Sequence, residues 1–479
     1  MIFNTFQFLW LFPIIFLLYW GAVLLRRREQ ARTRLANALL LTISYALVTW
    51  WMPSAALFLL AVTAVTYIFA RLIERHNARG DKKYLVWAGV LLAILPLLWF
   101  KYYNFLNDNI SALLSPLGLH PSMPRMNLVI PLGISFFTFQ AVGYLCDVYY
   151  RRIDAERNWW HYMLFVGFFP QIASGPISKA SELLPQIKAD RRLRADEVTQ
   201  GAKWFLWGLF LKVVLADRLG ITVDTVLPNY AHYNGSTLAY ASVLYSLQLY
   251  GDFAGYSLMA IGVGRMLGFN LVNNFRRPYL AATVTDFWRR WHISLTRWLT
   301  TYVYIPLGGS RCSKPRHYLN ILATFLVSGI WHGANWTFIA WGGLHGLLQL
   351  GEKATRLDKA ANRYFRPLRI LLTFLLVTLA WVLFRMPTLA DGWHVIAKIF
   401  TDPGGGGPVS TSATNTDIFL TLSAILCVLI VEWCEEYRPG LTLLNHRRRI
   451  VRWATYIALV CAILLCGVLD AGSFIYVSF

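Results

Sequence analysis

Charge is scarce in this chain. Asp, Glu, Lys and Arg together make up 14% of its 479 residues, where a soluble globular domain carries about 25%. Set against 57% hydrophobic residues and a mean hydropathy of +0.46, that shortfall excludes an ordinary soluble multidomain protein. Apolar stretches recur along the whole length, so a single membrane domain, 1–479, is the simplest organisation. Acids are the scarcer sign: 24 against 45 Lys and Arg, a formal net charge of +21. Such an excess suits either nucleic acid or anionic lipid. The basic residues occur in short clusters between apolar runs, the pattern of cytoplasmic loops meeting membrane lipid, so nucleic acid is set aside.

Cysteine is also sparse. Cys146, Cys312, Cys427, Cys434, Cys461 and Cys466 form no Cys-x-x-Cys pair, and most lie in apolar segments. They read as buried reduced thiols, not as a disulfide framework or a metal site. There is no Gly-x-Ser-x-Gly elbow, P-loop or His-Glu-x-x-His motif. His76, His120, His161, His232, His317, His345, His394 and His446 lack metal-ligand spacing, so no bound metal or cofactor is expected. No long-period repeat appears, and the one low-complexity tract, 404–407, reads as a flexible loop tip. The first apolar run, 3–25, is too long for a cleavable signal, and its basic cluster follows it instead of preceding it.

A membrane span needs about 20 mostly apolar residues. Candidates are 3–25, 36–50, 55–72, 84–100, 128–149, 202–219, 238–266, 318–331, 338–350, 368–384, 418–433 and 453–469. The expected fold is therefore all-α, a polytopic membrane protein of about 11–13 transmembrane helices with re-entrant or interfacial segments. Arg26, Arg27, Arg28, Arg32 and Arg34 follow the first span; Arg71, Arg75, Arg79, Lys82 and Lys83 follow the third; Arg151 and Arg152 follow the fifth. Lys353, Arg356, Lys359, Arg363 and Arg366 precede the tenth, and Arg438, Arg447, Arg448, Arg449 and Arg452 the last. These loops are assigned to the cytoplasm. Both termini then fall outside, which in a bacterial inner membrane is the periplasm; the C-terminus carries only Asp470. Two stretches break the alternation. Residues 159–177 and 298–307 have basic residues on both sides, so each is expected to dip into the membrane and return, or to lie in the interface.

Polar groups at membrane depth are costly and mark function. The first such place is Phe325-Leu-Val-Ser-Gly-Ile-Trp-His-Gly-Ala-Asn-Trp-Thr-Phe338. Here His332 is either a proton-accepting imidazole or a core histidine joining two helices, and Trp331 and Asn335 are candidate binding groups beside it. The second is Asp286-Phe-Trp-Arg-Arg-Trp-His-Ile-Ser-Leu295. It reads either as an interfacial helix with snorkelling arginines or as a place where Arg289 and Arg290 meet a donor's phosphates, with His292 in the pocket and Trp291 as a wall. The third is Asp252 in Tyr250-Gly-Asp-Phe-Ala-Gly-Tyr256, which would orient a histidine, line a channel or hold structure. His345 is a further pocket candidate.

At these residues the chain resembles the membrane-bound O-acyltransferase (MBOAT) family, in the branch that acetylates alginate and similar exopolysaccharides. The resemblance is carried by Pro131-Leu-Gly-Ile-Ser-Phe-Phe-Thr-Phe-Gln140, Gly255-Tyr-Ser257, Gly264-Arg-Met-Leu-Gly268, Asn274-Phe-Arg-Arg-Pro-Tyr-Leu280, the 286–295 segment, Tyr304-Ile-Pro-Leu-Gly-Gly-Ser-Arg311, Gly329-Ile-Trp-His-Gly-Ala334 and Trp336-Thr-Phe338. Their order and spacing match over most of the chain. Leu258 departs from the branch's usual acid, and Thr300 and Thr301 from its usual Arg-Asp. The resemblance implies an O-acyltransferase, normally an O-acetyltransferase. The family's invariant histidine falls on His332 and the branch's second histidine on His292. It also implies acetyl-CoA or another acyl thioester as cytoplasmic donor, a polysaccharide hydroxyl as acceptor, and a periplasmic SGNH-type partner protein that passes the acetyl group on. The rival readings are a secondary transporter or polysaccharide-translocating channel, and a non-catalytic scaffold of an export complex. Matched internal repeats, common in transporters, are not seen.

Overall fold

In a computed structural model of the chain, the described residues are 3–25, 29–76, 82–119, 124–357, 364–404, 415–438 and 442–468. Arg26, Arg27, Arg28, Arg79, His120, Lys359, Arg363, glycines 405–407 and Asp470 lie outside them. Among the described residues all regular structure is helical. Six helices among the described residues are long and apolar enough to cross a membrane: Phe6–Leu24, Pro53–Arg75, Lys83–Leu117, Arg366–Arg385, Thr416–Tyr437 and Arg449–Cys466. Their surfaces show the solvent they need. Only 11% of the apolar window in Arg449–Cys466 is buried, and Leu465 in it is 83% exposed. In water such a face would be an aggregation site; against lipid tails it is satisfied. The chain is a multi-pass membrane protein.

The described residues divide into two compact units, one mainly 6–201 with 263–272, the other mainly 202–262 with 273–479. In the first, helices Glu29–Trp51, Pro53–Arg75 and Ile134–Tyr149 pack around an unusual segment, with Phe6–Leu25 against the first of them and Lys83–Leu97 against the other two. Asn158 caps the helix Trp159–Gly167, its side chain accepting from the amides of Trp160 and His161. The chain breaks at Phe168 and makes one further turn, Phe169–Ile172, with Pro170 in it. Nine residues rise only about 14 Å, roughly half the hydrocarbon thickness. Every residue from 162 to 178 is buried, so protein encloses this segment on all sides, as irregular backbone in a bilayer requires. An interfacial helix would keep one face open. The second irregular stretch differs. Helix Ile293–Leu299 runs into a widened turn, Thr300–Tyr304, and residues 301–307 are half-buried or exposed.

The second unit holds the residues singled out for chemistry. Its centre is a pair of 19-residue helices, Lys314–His332 and Trp336–Ala354, crossing backbone against backbone. A Cβ on Gly329 would lie 2.3 Å from the Phe338 carbonyl oxygen, and one on Gly342 2.4 Å from that of Phe325. Only glycine permits this approach. It fixes the end of the first helix, where His332 sits. Asn335 caps the second, accepting from the Thr337 amide at 3.1 Å and donating to the Pro387 carbonyl at 2.8 Å.

Candidate active site

His332 is the last residue of its helix and is 3% exposed. The rings of Trp331, Trp341 and Phe384 stand around it at 4.8, 5.0 and 5.3 Å, all edge-on. His292 reaches the same cluster from the junction between helices Val284–Arg290 and Ile293–Leu299. Its ring lies 6.0 Å from Trp331 and 4.6 Å, edge-on, from Phe253. The indole of Trp331 thus neighbours both histidines that the sequence singles out.

His292 is held in an unusual way. Its backbone is left-handed, φ 44°, a conformation costing about 1–3 kcal/mol that persists only where its surroundings dictate it. Asn274 supplies those surroundings. Its carbonyl oxygen accepts from the Ser294 amide at 3.0 Å, and its backbone oxygen accepts from the Ile293 amide at 2.9 Å. Its side-chain nitrogen lies 3.3 Å from the Ser257 hydroxyl. The same side-chain oxygen faces His292 Nδ1 at 3.2 Å. Because the backbone donor identifies that atom as oxygen, Nδ1 is the protonated nitrogen and Nε2 carries the lone pair. His345 is the opposite tautomer. Its Nδ1 accepts from the indole N–H of Trp288 at 3.2 Å, and indole only donates, so Nε2 bears the hydrogen. We expect Asn274→Ala to lower kcat about 10- to 100-fold, the scale of a small misplacement of a reacting group, with the protein still folded. Wild-type turnover by that variant would remove Asn274 from the positioning of His292.

A cavity of about 270 Å³ has Trp288, the partner of His345, in its wall and is lined by neither His292 nor His332. Trp288, Leu295, Leu299, Ile321 and Phe325 give it apolar walls, and Arg289, Lys353, Thr285, Thr296, Thr300, Tyr304, Thr324, Ser328 and Gln349 complete them. It extends from exposed Arg289 to Ser328, which is 2% exposed. Ser328 precedes His332 by one helical turn and shares its face. Its hydroxyl is buried and has no hydrogen-bond partner among the described residues. Several buried helical hydroxyls donate to the carbonyl four residues back, Ser44 to Leu40 at 2.7 Å, Thr63 to Leu59 at 2.6 Å and Ser242 to Leu238 at 2.7 Å, as does half-buried Thr324 to Asn320 at 2.6 Å, whereas buried Thr138 has no such partner. Ser328 likewise has none.

The remaining expected site residues are placed elsewhere. Arg289 lines the cavity, but Arg290 is paired with Asp286 and Glu436 at 3.0 Å each. Trp291 is packed into an aromatic core with Phe275, Phe287 and Trp381 at 5.0, 5.4 and 5.1 Å; Trp288 is the tryptophan that walls the cavity. Asp252 is 2.6 Å from Lys212 Nζ, which pairs equally with Asp217, and all three are buried. Such a cluster satisfies charges that a bilayer would penalise. Asn335 is the helix cap already described. No group of three or more His, Cys, Asp or Glu able to hold a metal occurs among the described residues. Sequence reasoning missed Asn274, Ser328, Trp288 and Lys353. The position of Ser328, four before His332, was a visible signal; the others depend on contacts distant in sequence.

Among the described residues, then, the protein is all-helical and multi-pass, with two buried histidines near a cavity of mixed basic and apolar lining. The model of the membrane-bound O-acyltransferase family matches residues 2–385, and the chain belongs to that family; it is a membrane O-acyltransferase. It is similar to the probable alginate O-acetylase AlgI of Azotobacter vinelandii, with 38% identity over 84% of this chain and 78% of that protein. It is 34% identical to the peptidoglycan O-acetyltransferase of Helicobacter pylori, over 72% of each chain. It is 28% identical to the teichoic acid D-alanyltransferase of Bacillus subtilis, over 69% of this chain and 84% of that one.

Proposed function

We propose that the enzyme moves an acetyl group from a cytoplasmic thioester, acetyl-CoA, to a hydroxyl on the other face of a bacterial inner membrane, carried by an exopolysaccharide or by a periplasmic SGNH-type protein that passes it on. The observation that carries this reading is the cavity: a basic, exposed end at Arg289 leads to a buried hydroxyl one turn from His332. A thioester has that polarity, with phosphates at one end and a small acyl group at the other. The names of the alginate and peptidoglycan relatives favour acetyl and a polysaccharide acceptor. The basic loops on the Arg289 side support a cytoplasmic donor.

In the reaction the acceptor oxygen attacks the thioester carbonyl carbon. The C–S bond breaks, an ester C–O bond forms, and the hydroxyl proton ends on the departing sulfur. His332 takes that proton from the hydroxyl and returns it to the thiolate. His292, with its Nε2 lone pair and Asn274 behind it, assists the transfer or orients the donor. Ser328 donates to the carbonyl oxygen, on which negative charge develops. Direct transfer is favoured because neither motif presents an activated nucleophile.

Arg289→Gln combined with Lys353→Gln tests the donor's location. Charged hydrogen bonds contribute about 1.5–3 kcal/mol each, so KM for acetyl-CoA should rise at least about tenfold while kcat changes little. Acetyl-pantetheine, which lacks the nucleotide phosphates, should bind wild type and variant alike. Equal loss with both donors, or no loss with either, would place the phosphates elsewhere.

A further inference from the structure

We infer that Glu436, far from both histidines in sequence, is a positioning residue for His292; the inference rests on the acyl-transfer reading of that site. His292 ends a loop that begins at Asn274. The two legs of this loop are joined by hydrogen bonds from the Arg276 amide to the Arg290 carbonyl and from the Ile293 amide to the Asn274 carbonyl, both 2.9 Å. Each leg carries a residue in the left-handed region, Arg277 at φ 46° and His292 at φ 44°. Neither is glycine, so both need contacts that hold them there; Asn274 gives those at His292, and Arg277 and the Arg290 leg are held from outside the loop.

Glu436 provides that hold. It lies near the end of helix Asn415–Tyr437. One carboxylate oxygen is 3.0 Å from Arg290 Nη1 and the other 2.8 Å from Arg277 Nε. A single side chain therefore grips both legs, one of them two residues before His292. The grip is sheltered: Glu436 is 11% exposed and Arg290 13%, so it is screened far less than a surface pair. Neighbours reinforce it. Glu435 lies 3.4 Å from Arg277 Nη1, and Arg366 4.0 Å from Glu436. Glu432 accepts from the hydroxyl of Tyr250, whose ring packs edge-on against Phe275 and Tyr279 of the same loop. The helix supplying these three carboxyls lies beyond residues 2–385, the part matched by the family model. The catalytic loop of this chain is thus braced by an element outside that shared region.

The experiment measures acetyl transfer from acetyl-CoA by the full-length protein in proteoliposomes, with turnover normalised to folded enzyme. Glu436→Gln keeps the size but loses the charge and one acceptor. It should lower kcat about 10- to 100-fold and leave KM for acetyl-CoA within about twofold. Combined with Asn274→Ala, which acts on the same histidine, it should cost no more than the worse single change. Three results overturn the brace: unchanged kcat per folded molecule, a KM rise matching the kcat loss, or full multiplication of the two single effects. His332→Ala gauges the parent reading separately. Full activity there sinks the transfer site, whereas full activity in Glu436→Gln sinks only the brace.

Discussion

His332→Ala should lower kcat for acetyl transfer about 10²- to 10⁴-fold, the usual contribution of a positioned general base. KM for the donor should change little, because His332 is not among the residues lining the cavity. The imidazole is held by packing: three rings stand within 5.3 Å of its own. Truncation leaves a gap there, and the loss of a large buried side chain costs about 2–5 kcal/mol of stability. The assay therefore needs the fraction of folded protein measured alongside turnover. His332→Gln fills most of the gap and has no titrating nitrogen. If either variant, shown to be folded, transfers acetyl at the wild-type rate, His332 is a core histidine and the mechanism is lost.

Ser328→Ala gives a prediction in which activity and stability move apart. Losing one hydrogen-bond donor to a developing oxyanion lowers kcat about 10²- to 10³-fold. Removing a buried hydroxyl that has no partner among the described residues should leave stability unchanged or raise it, since the folded state no longer holds an unsatisfied polar group. A structural serine would show the reverse pattern: lower thermal stability and normal turnover per folded molecule. Thermal unfolding in detergent and a kcat measurement on the same preparation separate the two. Ser328→Thr keeps the hydroxyl and adds a methyl group to the cavity wall, so it should retain part of the activity.

These two residues differ in how far they could be read from sequence. His332 stands out because an imidazole between apolar flanks is costly at membrane depth, and because the surrounding motif is specific. Ser328 lies in the same quoted segment but looks like any helical serine. It differs from Thr324, one turn earlier, only once its hydroxyl is seen to lack the carbonyl four residues back. Arg289 and Arg290 show the same limit. As neighbours of one type they are indistinguishable in sequence. Folding separates them, one toward the cavity and the other toward Asp286 and Glu436. Asp252 is conspicuous for the same reason as His332, yet its charge is engaged by Lys212, a residue on a different helix. Asn274 reaches His292 across a loop that no periodicity predicts.

The class of protein is legible in the amino-acid order. Apolar runs of sufficient length, few charges and clustered basic residues leave helices in a bilayer as the arrangement that satisfies the backbone. The motif residues, taken together, pointed to the family and to two histidines. Which side chains lie beside those histidines follows from the folded chain. Burial and hydrogen bonding in the second unit depend on contacts between segments far apart in the chain: Asn274 with His292, Trp288 with His345, Glu436 with Arg277 and Arg290. Helical periodicity fixes which face a residue occupies but not what that face meets. The partner, and with it the role of each polar group, is set by packing.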